Sequence, residues 1–129
     1  MFTSIVLVLT AAWHGLAAWH FCLYPARTLA RTTSERPVNQ LATELFRFLG
    51  GLNLALVVAA LASLALAVAA RWPILLGLLV ANGSQLAVDL RVQRLSLVHG
   101  PFFRQILVGD ALFTALNGAA LAAVLAVTS

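Results

Sequence analysis

The amino-acid sequence predicts an all-α integral membrane protein, a single four-transmembrane-helix antiparallel bundle, and three observations predict it. Of its 129 residues, 62% are apolar and only 9% charged, whereas about a quarter of an ordinary soluble domain is charged. The apolar share is roughly 80 residues, which matches four spans of about 20 residues each. The eight basic residues are all arginine and flank the apolar runs. These features exclude a soluble domain, a disordered chain and a disulfide scaffold. The net charge of +4 forms no basic face, so no nucleic-acid partner is expected. Cys22 is the single cysteine and lies in an apolar run, where a free thiol behaves as a small hydrophobe.

The first predicted span covers residues 2–24, an apolar run interrupted by Thr3, Ser4, Thr10, His14, Gly15 and His20 and stopped by Pro25. It lacks a basic leading region and a clear cleavage site, so it is expected to be retained. Residues 25–39 carry three arginines, Glu35 and Pro37 and read as the one real linker. Residues 40–47 mix Glu44 and Arg47 with Leu41, Leu45 and Phe46, which suits a helix entering through the headgroup layer. The second span covers 48–70, and Arg71-Trp72-Pro73 makes a short turn with an interfacial aromatic. The third covers 74–92, the shortest and most polar. The fourth covers 105–127, after a loop whose turn signal is Gly100-Pro101.

Helices in a bilayer associate through close packing of small residues and through polar contacts. The second span has Gly51, Ala55, Ala59, Ser63 and Ala67 at every fourth position, and the fourth has Ala111, Ala115, Ala119 and Ala123. Each series forms a ridge on which a neighbouring helix is expected to pack.

The polar residues are ordered in the same way. Asn82, Gln85, Asp89, Gln93 and Ser96 form one helical stripe on the third span; Asp110, Thr114 and Asn117 form another on the fourth. At a rise of about 1.5 Å per residue, His14, Asn53, Asn82 and Asn117 fall near the middle of the membrane. His20, Asp89 and Asp110 fall nearer the arginine-rich side by the same count. Two readings stand: interhelical hydrogen bonds that hold the helices in register, or a polar pocket for a small ligand, ion or proton. The candidate ligand- or partner-binding residues are therefore His14, His20, Asn53, Asn82, Gln85, Asp89, Asp110 and Asn117.

His14 and His20 are six residues apart, which turns a helix by 600° and separates the rings by about 9 Å in height. They do not chelate one ion together, and no metal site is expected. The repeated Ala-Trp-His reads as packing and hydrogen bonding. Asp89 and Asp110 lie within reach of Arg91, Arg94 and Arg104, so ion pairs near the interface are expected. No catalytic arrangement and no particular cofactor emerges from the sequence.

Four short spans, an extended basic first loop and Arg47-Phe48-Leu49-Gly50-Gly51 at the second span give the chain a further likeness. In layout it resembles small four-helix membrane proteins of the DoxX-like kind and those that scaffold sterol enzymes. The resemblance implies a non-enzymatic accessory protein, tied to lipid, sterol or redox enzymes, with a homo-oligomer or a larger membrane enzyme as partner. It carries over no catalytic residue. The chain is also similar in size to the small multidrug transporters, which carry a glutamate in the first span where this chain has His14 and His20. The alternative function is binding or transport of a lipid, a quinone, or a proton or cation in the polar pocket.

Seven arginines fall in the first and third loops and one, Arg71, in the second. Since cytoplasmic loops collect arginine and lysine, both termini are expected outside the cytoplasm in an inner or plasma membrane. Thiol labelling of cysteines placed at Ser34 and Ser129 is expected to report opposite sides, with Ser34 cytoplasmic; equal access at both would overturn this topology.

Overall fold

The computed structural model describes residues 1–33 and 37–127. Among these residues it is an all-α fold of five α-helices: α1 (Phe2–Leu23), α2 (Pro25–Thr32), α3 (Gln40–Ala62), α4 (Trp72–Arg94) and α5 (Gly100–Ala126). Four segments are long and apolar enough to cross a membrane, Phe2–Leu23, Gln40–Ala65, Val68–Arg94 and Gly100–Ala126, so the chain is an integral membrane protein. The proposed labelling positions, Ser34 and Ser129, and the linker residues Glu35 and Arg36 lie outside the described residues.

The boundaries move for identifiable reasons. Tyr24 leaves the helical region at φ −129° because the following proline crowds it, and Pro25 then opens a new helix. The expected linker is thus partly α2, which buries Pro25, Thr28, Leu29 and Thr32 along one side. Asn39 starts α3 at Gln40 by accepting a hydrogen bond from Leu41 N–H at 2.7 Å, so the headgroup segment and the second span are one helix. Pro73 and Pro101 sit in the first turns of α4 and α5, where the missing N–H has no helical partner anyway. Those helices therefore run 72–94 and 100–126 rather than 74–92 and 105–127, their charged ends continuing the apolar spans.

The second span is the larger correction. It does not continue to residue 70: α3 ends at Ala62, and two 3₁₀ turns, Ser63–Ala65 and Val68–Arg71, lead into α4. Ser63 Oγ donates to Ala60 O at 2.7 Å, which competes with the helical ladder there. Arg71 then takes over the freed carbonyls. Its side chain folds inward, leaving the residue 6% exposed, and donates from Nη2 to Leu64 O (3.0 Å) and from Nε to Leu66 O (3.1 Å). Its Nη1 donates to Ser4 Oγ on α1 at 2.8 Å. The residue that the sequence offers only as the odd arginine of the topology count is the clamp on this end of the bundle.

Packing is uneven along the bundle. Near Arg71 the core is dry and closed, built from Val6, Leu7, Ala11, Ala60, Leu75, Leu78, Ala120 and Val124. α1 packs extensively on α3 and also on α5, while α4 packs mainly on α5. Gly50 allows the α1–α3 approach: a Cβ there would lie 2.8 Å from Cys22 N and 3.1 Å from Phe21 Cβ. α3 and α4 touch only sparingly. At the arginine-rich end the two connections are stitched together by His99 N–H donating to Thr32 O at 2.8 Å and by a bridge between Thr33 and Val98. There, Arg31 lies over the Phe102 ring at 4.6 Å.

The small-residue ridges do not do what their spacing suggests. Ala111, Ala115, Ala119 and Ala123 are all exposed, while the neighbouring Phe113, Asn117, Ala120 and Val124 face inward. Of the second-span ridge, Gly51, Ala55 and Ala67 are exposed, Ala59 is half-buried and Ser63 alone is buried; Gly50 and Ala60 are the small residues buried on α3. Every fourth position is a recurrence of the helix itself and does not say which side faces the core.

Arg71 provides a direct test of this end. Arg71→Met is expected to lower stability by about 1.5–3 kcal/mol, the usual value of a hydrogen bond to a charged group, because two backbone carbonyls and the Ser4 hydroxyl lose their charged donor. Arg71→Lys is expected to recover only part, since one ammonium does not reproduce the guanidinium fork. Unfolding titration in detergent measures both.

Candidate functional site

The interior polar groups gather in three linked places. The first centres on His14 of α1, which is 1% exposed. Its Nδ1 lies 2.6 Å from Asn53 Oδ1 on α3, and its Nε2 lies 3.4 Å from Asn82 Nδ2 on α4. The tautomer with its proton on Nδ1 satisfies both contacts: Nδ1–H donates to Asn53, and Nε2 accepts from Asn82. One ring therefore joins three helices, as the middle layer predicted. Asn53 and Asn82 also donate to the carbonyls of Leu49 and Leu78, four residues back, at 2.9 and 2.8 Å.

Asn117 is not part of that group. It pairs with Thr10 of α1, its Nδ2 donating to Thr10 Oγ1 at 3.2 Å and to Phe113 O at 2.8 Å. The expected four-residue layer is thus a three-residue cluster with a separate Thr10–Asn117 pair beside it. The signal for Thr10 was available, since it stands one helical turn before His14.

The third place is the aspartate pair. Asp110 on α5 is 1% exposed, and its Oδ1 accepts from Trp13 Nε1 at 2.9 Å. The indole lies flat against α5, stacked on Phe113 with ring centroids 5.5 Å apart. Gly109 makes room for it, because a Cβ there would overlap the Trp13 ring. Asp89 on α4 faces Asp110 closely enough for the two carboxyl groups to interact. The expected pairing with Arg91, Arg94 and Arg104 is not formed. Those arginines are exposed on the outer faces of their helices, and the one ion pair among the described residues is Arg47–Glu44, between exposed side chains on α3. Asp89 Oδ2 and Asp110 Oδ2 are buried with no hydrogen-bond partner, and so is Asn82 Oδ1.

Two cavities border this pair. A cavity of about 750 Å³ opens where α3 and α4 separate. Phe46, Leu49, Leu56, Val88, Val92 and Ile106 make much of its apolar wall, with Asn53, Gln85 and Asp89 as polar points, and Leu29, Thr32 and Val98 close its arginine-rich end. A small cavity of about 70 Å³ lies on the other side, against Trp13, His20, Gln85 and Asp110. Gln85 and Phe21 belong to both walls. His20 joins neither polar cluster directly; its ring meets the edge of Phe102 at 5.5 Å. The lower half of the α4 stripe leaves the interior, since Gln93 and Ser96 are exposed.

Among the described residues no three His, Cys, Asp or Glu side chains are grouped to hold a metal ion. The arrangement offers hydrogen-bond acceptors at the side of an apolar chamber. No protein-family model, no curated protein and no solved structure matches this chain. The fold and site define a class, a small four-span membrane protein with a chamber between its second and third spans.

Gly109→Ala is expected to push the Trp13 ring off α5, breaking the bond to Asp110 and shifting the tryptophan emission. Asn82→Leu and Asn117→Leu are each expected to lower stability by about 0.6–2 kcal/mol, the measured range for polar contacts between membrane helices. A double-mutant cycle on His14 and Asn53 is expected to show coupling within the same range; complete additivity would separate the two groups.

Proposed function

We propose that the protein binds a lipid-like amphiphile in the chamber between α3 and α4, with the apolar body among Leu49, Leu56, Val88 and Ile106 and the polar end beside Asn53, Gln85 and Asp89. The single observation that carries this reading is the chamber itself, about 750 Å³ with apolar walls and a few convergent polar groups. That combination is what ligand sites of this size share. The distribution of arginines supports placing the chamber in the cytoplasmic half of an inner or plasma membrane, with both termini on the opposite side.

A second reading, a non-enzymatic accessory protein that holds partner membrane proteins, is favoured by the outward alanine ridge of α5. Ala111, Ala115, Ala119 and Ala123 would let a further helix, from a second copy or a larger membrane enzyme, approach closely. The resemblance to DoxX-like proteins and sterol-enzyme scaffolds points the same way.

Filling the chamber separates the two. Ala55 and Ala81 line it without bonding to anything polar. The double variant Ala55→Trp/Ala81→Trp is expected to purify folded but to lose the lipid that extracts of the wild-type protein contain, measured by mass spectrometry. Equal lipid in both proteins would overturn the binding reading. Replacement of Ala115 and Ala119 with leucine is expected to leave the bound lipid in place and to disrupt only assembly with partners.

A further inference from the structure

The amphiphile reading leaves the polar end of the ligand unnamed, and the two partnerless carboxyl oxygens name it. Asp89 Oδ2, Asp110 Oδ2 and Asn82 Oδ1 are all acceptors, all buried, and none has a donor among the described residues. Leaving one such group unpaired is costly in a protein interior and more so in hydrocarbon. While both are ionised, two facing carboxyl groups only accept and cannot satisfy each other; they bond when a proton sits between them, and a donor arriving from the chamber would take that proton's place. The protein supplies one donor, Trp13 Nε1, and it goes to Asp110 Oδ1.

The charges around the chamber agree. Asp89 is the one acidic side chain among the residues named for its wall, which include no arginine and no histidine. The arginines of α4 and the start of α5, Arg91, Arg94 and Arg104, are exposed and stand outside it. The other ionisable groups near the pair are His14, tied to Asn53 and Asn82, and His20, across the small cavity from Asp110. A carboxylate wall inside an apolar chamber selects for a positive head group that donates hydrogen bonds and selects against an anionic one.

We propose that the chamber takes a cationic amphiphile whose ammonium group donates to Asp89 and Asp110, its apolar body lying between α3 and α4. This rests on the chamber being the binding site. Asp89 is the group in direct reach from the chamber. Asp110, behind it and held by Trp13, completes the acceptor pair. Asn82, one turn deeper than Gln85 on the same stripe, lies beyond the head group.

The test uses the full chain in nanodiscs of zwitterionic lipid and three probes of equal chain length: hexadecylamine, hexadecanol and hexadecanoate. Native mass spectrometry reads their retention. The expected result is that the amine is retained at least about tenfold better than the alcohol, and the carboxylate least of all. Asp89→Asn is expected to erase the preference for the amine, bringing its retention down to that of the alcohol in the same variant. Asparagine keeps the shape and removes the charge. Equal retention of amine and alcohol by the wild-type protein would overturn the head-group assignment and leave the chamber reading standing. Retention of none of the three, together with no lipid in extracts of the wild-type protein, would overturn both. The wild-type comparison needs no variant, so the proposal stays testable if Asp89→Asn fails to fold.

Discussion

A polar group inside a bilayer has no water to turn to, so whatever the sequence places there must find its partner within the protein. Most of this structure follows from how that demand is met. The three buried asparagines each give one N–H to the carbonyl four residues back on their own helix. Only the rest of each amide is then free to reach a neighbour, and His14, which presents two ring nitrogens in opposite directions, is what gathers two of them. Arg71 answers the same demand for the backbone: where α3 stops short, its fork reaches the carbonyls that no longer have a helical donor. With its third nitrogen on Ser4 it also fixes the end of α1.

These fastenings are not spread evenly, and that produces the chamber. α3 is held by α1 through His14 and the close approach at Gly50; α4 is held chiefly by α5. The link between α3 and α4 is clamped at the Arg71 end, above the dry core of Leu7, Leu75 and Leu78. Among the described residues nothing comparable ties them at the other end. They separate there, and α2 with the α4–α5 connection closes the opening by backbone bonds at Thr32 and Thr33. The same short connections that make the bundle antiparallel therefore leave one pair of neighbours apart.

How much of this the sequence discloses depends on the kind of pattern involved. The four spans are legible because length and hydropathy in a membrane leave few alternatives, and the α4 and α5 stripes are legible because costly polar groups fall on one helical side. His14 with Asn53 and Asn82 followed from depth alone. Depth failed for Asn117, because level does not specify which neighbour a side chain faces. The alanine ridges failed for a related reason: with alanine so abundant, a four-residue spacing recurs on lipid-facing sides as readily as on buried ones. The early end of α3 depends on Arg71 and Ser4, 67 residues apart, and local reading cannot join them. The aspartates were assigned to the nearest arginines along the chain, yet helix geometry sends Asp89 inward and Arg91 and Arg94 outward.

That last division of charge bears on what the interior is for. Eight arginines are available, and none of those flanking Asp89 and Asp110 reaches them. If the pair served packing alone, asparagine or leucine at these positions would cost less, since a carboxyl group is the more expensive occupant of a membrane interior. Instead several features converge on holding Asp110 in one orientation. Gly109 gives up its side chain so that the indole can lie flat, Phe113 supports the indole from below, and the indole N–H fixes Oδ1. Oδ2 is thereby left without a donor, facing Asp89, which forms part of the chamber wall. A donor carried by the proposed ligand would answer the two carboxyl oxygens that the fold holds in place and leaves open.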